Sequence, residues 1–256
     1  MNKSDNIRIE KSKKIEKNIA KKKEILLITL AIVFITGLLI FLYYNKSNKS
    51  NIKFDADEAM RFNDDKISVN EFLLYAADVY QGYNLQDEAN WDSTITDPLT
   101  NETVTYEEKV KATICEQIRM TKVLCLKAKA TGISLSNDEK ELLINNARTY
   151  HANLVEAGVV DKNLTTDLIT LFYEENAIAQ KVYLSITDNY DGSAEEESGE
   201  YEGHGDLTAK ELYFIDSYRS LASKYDSNYN YNESINWELL DKISFSELSK
   251  SNIDTK

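Results

Sequence analysis

The side chains best suited to chemistry are few. The 256-residue chain holds two histidines, His151 and His204, and two cysteines, Cys115 and Cys125. A transition-metal site needs three or four ligands, commonly His, Cys and carboxylate, converging at short spacing. Neither histidine has such partners beside it. His151 falls next to the apolar stripe of a predicted helix and His204 in a glycine- and glutamate-rich stretch, so both read as structural or surface residues. Cys115 and Cys125 lie ten residues apart on one predicted helix. That spacing spans about 15 Å, whereas bridged Cα atoms lie within about 7 Å, so the two cannot join within the helix. No Cys-x-x-Cys occurs, which removes the usual redox-exchange arrangement, and small buried hydrophobes are the expected role.

Other catalytic signatures are missing too. There is no glycine-rich phosphate loop, no G-x-S-x-G and no H-E-x-x-H. Carboxylates are abundant, with 43 acids in the chain, but at that density suggestive spacings arise anywhere and a solvated face is the ordinary reading. The residues therefore predict a protein that is not an enzyme and holds no metal and no cofactor. Charge excludes a further class. The formal net charge is -13. Residues 1–24 carry nine bases against four acids, leaving 21 bases and 39 acids in the remainder. So acidic a body is unsuited to nucleic acid, which is bound by phosphate-neutralising Lys and Arg.

The elements that would position any site are mostly helical. Only one proline, Pro98, and eight glycines occur, too few for a turn-rich β fold. Four capping boxes mark helix starts, at "SVNE" (68–71), "TYEE" (105–108), "SNDE" (136–139) and "TAKE" (208–211). Ile67 with Phe72, and Leu207 with Leu212, are placed as hydrophobic staples. After Thr105, residues Val110, Ile114, Ile118, Leu124, Cys125 and Ala128 fall on one face of a helix that ends at Gly132. Later stripes are Leu143, Ala147, Tyr150 and Leu154; then Leu168, Phe172, Ala179 and Val182; then Leu212, Ile215, Tyr218 and Ala222. None is apolar all round, so each helix is expected to keep one wet face. Before Ser68, an extended pair turning at "NDD" (63–65) is expected. "WDSTITDPLTNETV" (91–104) reads as a loop or short helix with a turn at Asp97-Pro98.

Residues 25–44, "ILLITLAIVFITGLLIFLYY", carry no charge. Twenty helical residues span about 30 Å, the thickness of a hydrocarbon core. The run is expected to be a transmembrane helix, with "KKKE" (21–24) keeping the N-terminus cytoplasmic by the positive-inside rule. A cleaved signal peptide would have a shorter apolar region and a small-residue cleavage site, which "FLYYNKSNKS" lacks. The expected layout is a basic tail (1–24), a transmembrane helix (25–44) in contact with membrane lipid, a stalk (45–52) and a helical domain (53–256). An acidic, glycine-rich linker at 187–207 interrupts that domain. This places a single-pass protein in the plasma membrane with its folded domain extracytoplasmic.

Residues 62–157 resemble the N-terminal chaperone domain of SurA-like and PrsA-like foldases. The stretches that carry the likeness are "FNDDKISVNEFLLYA" (62–76), "KVLCLKAKATGISLSNDE" (122–139) and "ARTYHANL" (147–154). More weakly, "ELYFIDSYRSLASKYDSNYNYNESINWELLDKISF" (211–245) is similar to the closing segment of that family. The resemblance implies that the late helix folds back on the early ones. It also implies a parvulin-type prolyl isomerase domain between them, where this chain has only the linker. An independent domain needs at least about 40 residues, so the isomerase cannot fit.

The expected function is that of a chaperone or holdase for unfolded or newly exported polypeptides. The alternatives are a non-catalytic adaptor or assembly subunit of one membrane complex, and an isomerase-related foldase with residual activity. For the first, Phe72, Tyr75, Tyr80, Tyr83 and Trp91 are the expected client-binding residues, since aromatics offer large contact area at low entropic cost. The competing role for each is a place in the core.

Overall fold

The computed structural model describes residues 52–82, 91–96, 103–156, 164–188, 190, 208–226 and 231–245. The chain opens with a hairpin of β1 (Glu58–Phe62) and β2 (Asp65–Ser68), antiparallel, with Phe62 opposite Asp65 and Met60 opposite Ile67. Its turn works because Asn63 adopts φ 52°, a left-handed conformation that a short amide side chain tolerates. Helix α1 (Val69–Gly82) follows directly. A second hairpin, β3 (Thr94–Thr96) with β4 (Thr103–Thr105), stands where a loop or short helix was expected. The Thr-Ile-Thr and Thr-Val-Thr sequences explain this, because β-branched side chains suit the pleat.

Thr105 then closes a complete capping box with Glu108 and starts α2 (Tyr106–Thr131), which Gly132 ends at φ 74°. Helices α3 (Asn137–Glu156), α4 (Thr166–Thr187) and α5 (Ala209–Tyr225) follow, with two single turns, α6 (Tyr231–Ser234) and α7 (Trp237–Leu240). Central α2 packs against α1, α4 and α5, whereas α3 packs chiefly on α4. Two hydrophobic clusters sit along α2. The first joins β1, β2, α1, the early part of α2 and the first turns of α4, including Met60, Phe72, Ile114 and Phe172. The second joins the later part of α2 to α4 and α5, including Leu124, Val182, Phe214 and Tyr218.

Helix α2 departs from the expected single wet face. Residues 110–118 and 120–124 are all buried, Lys111, Glu116, Gln117 and Lys122 among them. Neighbouring elements cover the side that its sequence leaves polar.

The expected membrane helix is also corrected. Residues 25–44 lie outside the described residues, and among the described residues no helix is long and apolar enough to cross a membrane. The longest, α2, has the length, but Glu107, Glu108, Lys109, Lys111, Glu116, Arg119, Lys122, Lys127 and Lys129 run along it. Among the described residues the fold is accordingly mostly α with two small antiparallel sheets. The same finding corrects the expected single-pass topology, the lipid contact through 25–44 and the plasma-membrane location. The linker (187–207) lies outside the described residues except for Thr187, Asp188 and Tyr190.

The late segment folds back onto the early one. Ile235 forms a β-bridge with Met60. Asn236 donates from its backbone N to Ala59 O and from Nδ2 to Glu58 O, both at 2.9 Å, while its Oδ1 caps α7 by accepting from Leu239 N at 3.2 Å. Phe245 lies 5.5 Å from the Trp91 ring and donates from its backbone N to Glu107 Oε1. Because Asn236 combines a cap with a tie to β1, Asn236→Ala is expected to lower stability by about 2 kcal/mol. Thr208→Ala, which removes a cap alone, is expected to lower it by about 1 kcal/mol. Urea denaturation of the full chain measures both, and equal losses would mean that the tie to β1 adds nothing.

Candidate functional site

Three of the five aromatic residues expected to bind a client belong to the interior. Phe72 and Tyr75 are fully buried and Trp91 is 6 % exposed. The staple that starts α1 turns this face inward, where Tyr75 meets Phe172 edge-on at 4.8 Å. Trp91 lies against Tyr106 and Phe245. A client could reach these rings only by opening the core that they help to fill. Tyr80 lies on α1 with its side chain outside the description, and Tyr83 lies outside the described residues.

Exposed apolar surface appears elsewhere, on the α3–α4 hairpin. Leu142 is 59 % exposed, Val155 54 %, Leu171 43 % and Leu184 36 %. Helix α3 fully buries only Ala147, and its predicted inner stripe of Leu143, Tyr150 and Leu154 is partly buried. Polar ties hold it to α4. Lys181 Nζ meets Glu139 Oε2 at 2.7 Å and donates to Ser134 O, and Thr166 Oγ1 lies 3.2 Å from His151 Nδ1. The Lys181 hydrogen bond, then the backbone N of Ser136, hold the Glu139 carboxyl down at about 2. That contribution is present above the ordinary glutamate range and is lost as pH falls from about 4.5 toward 2. On a surface this open it is worth under about 1 kcal/mol.

Beneath the hairpin lies a belt of buried charge. Lys122 reaches from α2 to Glu71 of α1, 2.9 Å from Oε1, and to both carboxylate oxygens of Glu175 of α4, each at 2.7 Å. The ammonium donates well-formed hydrogen bonds to Glu175, whereas Glu71 Oε1 makes an ion pair without an aligned hydrogen bond. Ser68 starts α1 by accepting from Glu71 N at 3.1 Å. The Glu71 carboxylate, which a capping box would send back to Ser68, turns inward to Lys122 instead. Burial works against the Lys122 charge, but Glu71 and Glu175 outweigh it and raise the ammonium above its ordinary value. Burial dominates at Glu175 and raises its carboxyl despite Lys122.

Beside this triad, burial raises the Tyr75 hydroxyl well above its usual range and lifts the Cys125 thiol to about 12. The Tyr75 hydroxyl faces Thr121 without a well-formed hydrogen bond. A second network joins Arg119 to Glu116 at 2.9 Å and to Asp226 at 2.7 Å, with Tyr218 OH donating to Glu116 at 3.1 Å.

Chemically, this belt is a set of ties. Lys122 and Arg119 are each held between two carboxylates, and both thiols are held protonated: Cys115 by complete burial, Cys125 by burial and then by Glu175. Among the described residues no group of three or more His, Cys, Asp or Glu is arranged to hold a metal ion. His204 lies outside the described residues. Sequence spacing could not reveal the triad, because Glu71, Lys122 and Glu175 are about fifty residues apart in steps. Comparison of the chain with known protein families, with characterised proteins and with solved structures found no match.

Removing the ammonium alone strands two buried carboxylates, so Lys122→Met is expected to lower stability by about 3–5 kcal/mol. Adding Glu71→Gln and Glu175→Gln is expected to restore most of the loss. Urea denaturation checks both, and a Lys122→Met variant as stable as the parent would mean that the triad ties nothing together.

Proposed function

We propose that this chain is a non-catalytic polypeptide-holding protein, a chaperone-like scaffold whose working surface is the α3–α4 hairpin. The observation that carries the reading is the apolar surface left open there, led by Leu142 and Val155 at 59 % and 54 % exposure. A helix that buries one residue fully while presenting leucine and valine to solvent offers non-directional contacts to extended apolar segments. Such contacts need no sequence match, since hydrophobic attraction scales with area. Two further features support the reading. The order of polar turn, capped helix, long helix ending at Gly132 and capped next helix follows the SurA-like resemblance over 62–157. The late helix α5 returns to α2 and α4, as the closing segment of that family does.

In this reading the aromatic residues first expected to bind the client hold the scaffold together instead. The exposed aliphatic residues of α3 and α4 meet the client. The full chain, without ATP, is expected to slow aggregation of a chemically unfolded test protein at a few-fold molar excess. Leu142→Ser with Val155→Ser is expected to weaken that protection several-fold while leaving stability nearly unchanged, since both residues are exposed. Light scattering follows the first and urea denaturation the second. Protection that is absent, or that the double substitution does not touch, would remove the proposal. A single dominant crosslinked partner in place of many clients would identify an adaptor subunit.

A further inference from the structure

We propose that the Glu71–Lys122–Glu175 triad is a proton-sensitive latch, which takes up one proton as the surroundings acidify and then fastens α1 to α4 across α2 more firmly. The geometry sets two carboxylates against one ammonium, with contacts of 2.7–2.9 Å on both sides of Lys122 Nζ. All three residues are largely withdrawn from water, with side-chain exposures of 8 %, 9 % and 16 % for Glu71, Lys122 and Glu175. Fully ionised, the cluster carries one uncompensated negative charge in a dry site. Among the described residues, the surrounding groups do not supply the missing positive one. Asp65, at the end of the first hairpin, adds negative potential, and Tyr75 of α1 and Cys125 of α2 are neutral. The basic residues buried elsewhere along α2 are paired, Lys111 with Glu107 and Arg119 with Glu116 and Asp226. A proton on the Glu175 carboxyl, which burial favours in its neutral form, is the charge that remains to balance the triad.

The direction follows from linkage. The Glu175 carboxyl is raised by burial in the folded chain, whereas unfolded glutamates titrate near 4.3. Between those values the folded state holds more protons, so stability rises as pH falls through that window and is lost as pH rises above it. Asp226, raised by burial beside Arg119, acts in the same direction. It is untouched by a change at Glu175, so differences between variants isolate the triad.

The test compares the full chain with Glu175→Gln and with Glu141→Gln, an exposed position that makes the same change in net charge. Between pH 7.5 and 4.5 the folding equilibrium constants of the parent and of Glu141→Gln are expected to move upward by at least about threefold relative to that of Glu175→Gln. One proton permits at most about tenfold per pH unit. Equal pH dependence in all three would overturn the latch. Should Glu175→Gln fail to fold, carbon-detected NMR titration of the glutamate carboxyls in the parent decides. One glutamate titrating clearly above the rest is expected, and ordinary titration of every glutamate would overturn the proposal.

Discussion

Lys122 stands where α1, α2 and α4 meet, and its three contacts explain how a helix with a polar side can occupy the middle of the molecule. Helix α2 brings nine charged residues with it. Those on its outer turns reach water, but Lys111, Glu116 and Lys122 are enclosed. An isolated charge in such surroundings is strongly disfavoured, and only close pairing makes it tolerable. Every enclosed charge on α2 therefore prescribes a neighbour. Lys122 requires Glu71 and Glu175, Glu116 requires Arg119 and Tyr218, and Lys111 lies by Glu107 and over the Phe245 ring. Buried ion pairs add little net stability compared with apolar packing, but mispairing them is expensive, so their main effect is to select one arrangement of the helices.

From this centre outward, the quality of burial falls off. Helices α1, α4 and α5 each give a continuous apolar stripe to α2, and the two hydrophobic clusters along it are filled by large side chains such as Phe72, Phe214, Ile118 and Leu124. Helix α3 lies one layer further out. It rests chiefly on α4 and is held partly by surface ties such as Lys181 with Glu139. Elements with few buried apolar contacts are the ones that open first. The same shortage of cover leaves the hairpin's leucines and valine exposed to solvent, so that in the proposed reading stability belongs to the inner layer and client contact to the outer one.

Local chemistry was legible wherever neighbours in sequence are neighbours in space. The Thr105–Glu108 and Thr208–Glu211 boxes form in full, Ser136 and Glu139 bond reciprocally, and Gly132 takes the left-handed cap. The first hairpin turns at Asn63 as its residues suggest. Reading failed where a distant residue competed. Ser68 and Glu71 have the same spacing as the other boxes, yet the Glu71 carboxylate goes to Lys122, because a buried ammonium is a stronger partner than a half-exposed backbone N–H. Phe72, Tyr75 and Trp91 could be assigned to groove or core only once it was known what covers them.

By itself, the sequence determined the helical class, the main helix starts and ends, the faces that turn inward, and the inability of Cys115 and Cys125 to bridge along their helix. All of these follow from interactions within about four residues or from the 3.6-residue period. Tertiary structure alone decided three matters. The polar side of α2 became interior, the late segment joined β1 through Ile235 and Asn236, and α3 became the helix left half-covered. The physical reason is common to all three: each depends on which surface meets which across tens to hundreds of residues, and periodicity tells only that a face must be covered, not by what.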